Sequence, residues 1–270
     1  MNDEFYIGWE AKAAPGIGSA VRRTVVVLLA LAVVLGVSLA VAQRMIGVSV
    51  FEWGKVKEFS GILKSRPYPH LLVPRPGIAI GQPACSSYYL VKPFKFGLNP
   101  ETARRFDGQA VRLRGTLIYR GNQTMIEVVD DSIQITNTTP PALTGQESIA
   151  FGRQTLTGEI VDSKCFLGVM NPGQLTTHRA CAIRCISGGA PPVLLVRQKN
   201  GQAIYLLLVS VDGKPVNKQV LDLVAEPVDI SGEVEREGEL LLLRADPATY
   251  RRAKPNDSQN PQATRERRSN

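Results

Sequence analysis

VRLRGTLIY (111–119) alternates outward and inward residues. A segment with the same alternation, VDISGEVER (228–236), follows 117 residues later with its glycine at the same place. A period of two marks a half-buried β-strand. Each strand has a hairpin partner: TMIEVV (124–129) for the first and ELLLLRA (239–245) for the second. The turns are Arg120-Gly121-Asn122 and Glu237-Gly238, residue types that accept the left-handed backbone of tight hairpins. AIYLLLV (203–209) follows Asn200-Gly201, a further hairpin signal.

The correspondence extends outward. Carried forward by 117, residues 88–128 fall on 205–245 without a gap. Tyr88 then meets Tyr205, Leu90 meets Leu207, Val111 meets Val228, Gly115 meets Gly232 and Gly121 meets Gly238. Upstream, Phe59-Ser60-Gly61 resembles Leu156-Thr157-Gly158 at an offset of 97, so the second copy carries a 20-residue insertion. A mainly β fold is expected: two tandem OB-like small barrels, 54–148 and 149–246, the second with a Cys-rich helical insertion. A single continuous β-sandwich is the alternative.

Thr24 to Ala42, TVVVLLALAVVLGVSLAVA, carries no charge. As a helix it spans roughly 28 Å, close to a bilayer's hydrocarbon core. Two readings remain open: an uncleaved transmembrane anchor (24–42), or a signal peptide ending in the small-x-small pattern Ala40-Val41-Ala42. Arg22-Arg23 before the run, against Arg44 after it, leans toward a cytoplasmic leader (1–23) and an extracytoplasmic remainder. The expected location is a bacterial cytoplasmic (inner) membrane, crossed once. Phe5, Tyr6 and Trp9 suit the membrane interface.

The net charge is +8, and the segment 247–270 contributes +4 through six basic and two acidic residues. That segment has little apolar content and is expected to be a disordered basic tail. Tyr88, Tyr89, Phe94, Phe96 and Tyr119, with Lys92, Lys95, Arg112 and Arg114, resemble a nucleic-acid face. The same pattern fits barrel core and solvated surface, and an exported domain meets little nucleic acid. No nucleic-acid partner is expected; the partners expected are the membrane and protein subunits of a membrane redox complex.

The insertion holds the chemistry. Cys165, Cys181 and Cys185, three of the four cysteines, lie in 162–190 together with His178, one of two histidines. Thr177 to Ile186 reads as a short helix, capped by Thr176 or Thr177 and ended by Gly188-Gly189. On it His178, Cys181 and Cys185 stand at i, i+3 and i+7, on one face, with Cys165 at the end of the preceding strand. Asp162, Met170 and Asn171 are close in sequence.

Three chemistries fit these residue types. A disulfide among Cys165, Cys181, Cys185 and Cys85 suits an exported chain, with Cys165 to Cys181 or Cys185 the better pair. A metal site of Cys165, His178, Cys181 and Cys185 matches tetrahedral zinc or, with soft ligands, copper. A Cys/His catalytic pair lacks an orienting third group, so the expectation is a non-enzymatic module without catalytic residues or organic cofactor. His70 is read as an exposed loop residue and Cys85 as lying beside a hairpin turn.

The leader FYIGWEAKAAPGIG and the spacing Asp162-x-x-Cys165…His178-x-x-Cys181-x-x-x-Cys185 resemble those of bacterial membrane-anchored proteins with OB-like barrels. The resemblance implies an exported accessory protein and assigns no site residues.

Overall fold

The computed structural model describes residues 14–44, 48–75, 85–136, 148–198 and 202–253. The expectations for Phe5, Tyr6 and Trp9, for the Asn200-Gly201 turn and for 254–270 fall outside them. The chain divides into two units, Met1–Gly47 and Val48–Asn270.

The first unit contains helix α1 (Pro15–Arg44). It starts nine residues before the apolar run, because Pro15 suits a first helical position and nothing up to Arg23 breaks the helix. Within Pro15–Ala42 an 18-residue window has a mean hydropathy of 3.0 and no buried residue, so the helix is long and apolar enough to cross a membrane.

The second unit is built from strands. Its first barrel consists of β2 (Lys57–Lys64), β3 (His70–Pro74), β4 (Cys85–Val91), β5 (Ala110–Arg120) and β6 (Gln123–Val128). Around the barrel the order is β5-β2-β3-β4-β6, and β6 pairs back onto β5 to close it. Only β4 and β6 run parallel. Two short strands, β1 (Ser49–Phe51) and β7 (Gln134–Ile135), add to β5, and a short helix, α2 (Pro100–Arg105), lies between β4 and β5 in the chain. The second barrel consists of β8 (Ser148–Asp162), β9 (Pro192–Arg197), β10 (Ala203–Val209), β11 (Pro227–Glu237) and β12 (Leu240–Arg244). Its order is β11-β8-β9-β10-β12, again closed onto β11 and again with one parallel pair, β10 with β12. Closure removes the unpaired edges that an open sheet would expose.

The sequence register is the structural register. β5 and β11 have the same length, and both their ends differ by 117. Gly115 and Gly232 are each the sixth residue of their strand. A Cβ at Gly115 would strike Ile126 and the Glu127 backbone. One at Gly232 would strike the Arg244 carbonyl and Ala245. Each glycine lets its strand approach the closing hairpin partner. The turns form at Gly121 and Gly238, both with φ of 58°.

Each barrel has its own core. The first is filled by Leu63, Leu71, Leu90, Val111, Leu113 and Ile126. The second is filled by Ile160, Leu194, Leu208, Val228, Ile230 and Leu243. A third cluster joins them, with Tyr68, Tyr89, Ile118 and Met125 from one barrel against Phe166, Leu167, Leu207 and Leu242 from the other. Tyr89, read as part of an aromatic face, is thus an interior residue.

Two local expectations are corrected here. His70 is buried at 4% exposure. It opens β3 opposite Tyr89, and its Nδ1 lies 2.8 Å from the Tyr68 carbonyl. The connection 65–69 is too short to project as a loop, so the ring enters the sheet. Order also extends past Ala245: β13 (Arg251–Arg252) pairs with β11, and Tyr250 is buried in the second core. Tyr250, the β13 pairing and the Arg252–Glu226 ion pair together hold the residues up to Ala253.

Candidate metal centre

In the first barrel the first and second strands are joined by residues 65–69. In the second they are joined by 163–191. This longer connection begins with a π-helical turn (Cys165–Val169) and continues through a 3-10 turn (Thr176–His178) into helix α3 (Arg179–Ser187). Neither turn nor helix has the expected threonine cap. The residues at the two starts are Leu175 and His178, and neither makes a capping side-chain bond. Cys165 stands three residues beyond the end of β8, in the π-turn. The C-terminal end is as expected: Gly188 terminates α3, its N–H bonded to the Arg184 carbonyl at 3.0 Å.

The fold brings together Cys165, His178, Cys181 and Cys185. Cys165 Sγ lies 3.8 Å from Cys181 Sγ and 3.8 Å from Cys185 Sγ. All four cysteines are free thiols. Two overlapping sets of donor atoms each fit within 4.8 Å: Cys165 with His178 and Cys181, and Cys165 with Asp162 and Cys185. Cys165 is common to both. Cys165, Cys185 and His178 are buried, and Cys181 is half-buried.

Asp162 is the residue that sequence reasoning placed nearby without a role. It is fully buried and satisfies two donors. Its Oδ1 accepts the Cys165 backbone N–H at 2.7 Å, and its Oδ2 lies 3.0 Å from His178 Nε2. With Nε2–H donating to the carboxylate, a neutral His178 ring keeps its lone pair on Nδ1. The signal was the Asp-x-x-Cys spacing, which puts a carboxylate one turn before the thiol.

Lys95 supplies the charge. Its Nζ stands 2.7 Å from Cys181 Sγ, and this bond holds the Lys95 pKa above its usual value. The Cys185 thiol is pushed down, chiefly by its hydrogen-bond contact with Cys165 and further by the Lys95 ammonium. The Cys165 thiol is pushed up by the same bond and by burial.

Lys95 comes from the first barrel, on the segment 92–97 that follows β4. Lys164, 1% exposed, fixes that segment from the second barrel. Its Nζ donates to the carbonyls of Lys92 at 2.6 Å and Phe94 at 2.7 Å, and pairs with Glu127 at 2.6 Å. Phe94 adopts φ of 62°, a conformation that costs a non-glycine residue about 1–2 kcal/mol. The Gly97 N–H donates to the Gly188 carbonyl at 2.9 Å, an approach so close that a Cβ at Gly97 would strike Gly189.

Cys85 belongs to neither donor set. It opens β4, and the chain turns toward the thiols only after Val91. Six steps of extended strand, about 20 Å, separate Cys85 from Val91. Cys85 sits instead near Arg75 and Glu239, which form an ion pair between the barrels. Met170 is 46% exposed.

The arrangement therefore offers three thiols, an imidazole oriented by a carboxylate, and a neighbouring ammonium. No protein-family model, curated protein or solved structure matches the chain.

Proposed function

We propose that the protein is a membrane-anchored, extracytoplasmic binding module that holds one thiophilic metal ion, zinc foremost, on Cys165, His178, Cys181 and Cys185. The observation that carries this reading is the pair of 3.8 Å Sγ–Sγ distances centred on Cys165. Sulfurs about 2.3 Å from a tetrahedral ion are about 3.8 Å apart, whereas a disulfide brings them to about 2.05 Å. Three thiolates around a divalent cation leave one net negative charge, which the Lys95 ammonium offsets. The Asp162–His178 pair is the outer-shell arrangement that orients a metal-binding imidazole. Copper is the second candidate for the same soft donors.

In this reading both barrels are OB-like, and 163–191 is an insertion that uses the first barrel as its second wall. The helix Pro15–Arg44 is an uncleaved anchor, N-terminus inside. The partners are the membrane and subunits of a membrane redox system. A structural disulfide from Cys165 to Cys181 or Cys185 is the competing account, supported by the equal distance of Cys165 from both.

Purification of the full chain in detergent without chelator separates the two. The metal reading expects stoichiometric metal, released by chelator with faster amide exchange across 163–191 and no change at 65–69. Cys165→Ser should abolish binding, and His178→Ala should weaken it. A metal-free protein lacking two titratable thiols would establish the disulfide instead.

A further inference from the structure

A cavity of about 620 Å³ lies between the barrels, beside the Gly97–Gly188 contact. Its walls come from 65–69, Lys92, 96–100 and Arg104 of the first barrel, and from 188–189, 213–215 and Asn217 of the second. Its size is that of sites for small organic ligands.

Its charge is one-sided. Arg66, Lys92, Arg104 and Lys214 line it, and no Asp or Glu does. Lys92 is paired with Asp130, and Lys214 with Asp212. Among the described residues, Arg66 and Arg104 have no ion-pair partner, and both are exposed. Two exposed guanidinium groups without ion-pair partners thus border one concave surface and are open to an incoming anion. Their planar forks match the oxygens of a phosphoryl group in a way that lysines do not.

The remaining wall is apolar and stiff. Pro67, Pro69, Pro100 and Pro215 contribute rings, and Tyr68 and Phe96 add aromatic surface. Tyr68 is locked in place: its hydroxyl donates to the Leu208 carbonyl at 3.3 Å and accepts the Val216 N–H at 3.0 Å. The floor is thus fixed by both barrels, while the arginines stand free above it.

We propose that this cavity binds a small organic phosphate, its phosphoryl group held by Arg66 and Arg104 and its apolar body lying against Tyr68, Phe96 and the prolines. The phosphoryl group can belong to a soluble molecule or to a lipid headgroup. The site does not depend on the metal reading, since none of its lining residues is a thiol or His178.

The test uses the full chain in detergent with two probes, phenyl phosphate and short-chain phosphatidic acid, titrated calorimetrically against inorganic phosphate. Saturable binding of either organic probe, tighter than inorganic phosphate, is expected. Phenyl phosphate alone would indicate a soluble source, and phosphatidic acid alone or preferentially a lipid source. Affinity should fall about tenfold or more in R66A and again in R104A. Because both side chains are exposed, neither change threatens folding, and R105A, a neighbour outside the cavity, should bind as the unsubstituted chain does. Binding of neither probe by folded protein, or equal binding by the R66A/R104A double variant, overturns the proposal.

Discussion

The two barrels share strand order, closure and register, yet differ at one connection. Residues 65–69 join the first two strands of one, and 163–191 join those of the other. In the first barrel the short connection folds inward at Tyr68 and leads straight into His70, the buried first residue of β3. In the second the long connection carries three thiols, an imidazole and Lys164 outward onto the neighbouring barrel. A closed barrel satisfies its own backbone, so a connection can grow without disturbing the ladder. What the longer one gains is a partner surface: Lys95, Glu127 and the Lys92 and Phe94 carbonyls all belong to the first barrel.

The contrast breaks most severely at Lys164. Lys164→Met removes a buried ammonium and leaves Glu127 and two carbonyls without their donor. We expect a loss of about 3–5 kcal/mol. Urea denaturation of the full chain measures it, and a loss under 1 kcal/mol would show that the barrels do not depend on this contact. The same variant should free the 92–97 segment and raise the reactivity of Cys181.

The equivalence of the barrels is sharpened by its glycines. Gly115→Ala and Gly232→Ala each force a Cβ against a closing hairpin partner, and each should cost about 1–3 kcal/mol. Two similar losses in denaturation would support equivalent closure. A neutral Gly232→Ala beside a damaging Gly115→Ala would mean that the second barrel closes more loosely.

The smallest effect belongs to the buried histidine of the short connection's strand, His70. Burial lowers the pKa of His70 below its usual 6.5. The unfolded chain therefore binds a proton that the folded chain refuses. The contribution of His70 is complete above about pH 6.5 and declines as the pH falls below that value, until the folded-state pKa is reached. The slope is at most about 1.4 kcal/mol per pH unit. His70→Gln should remove this part of the acid sensitivity, read from denaturation midpoints between pH 7 and 5. An unchanged slope would place the sensitivity elsewhere.

The sequence by itself determined the strands, their hairpin turns, the apolar helix and the grouping of three thiols with one imidazole. Each is written in neighbours: period two in 111–119 and 228–236, glycine at 121 and 238, no charge in 24–42, helical spacing from His178 to Cys185. The tertiary structure alone decided the rest. Barrel closure depends on β4 meeting β6, and β10 meeting β12, in parallel across the intervening chain. Lys95 reaches Cys181 from 86 residues away, and Lys164 reaches Lys92 from 72. His70 and Tyr250 looked like surface residues because each stands among prolines, arginines or other polar neighbours. Burial, however, is set by what packs across from a residue, and a contact between distant segments leaves no local period to read.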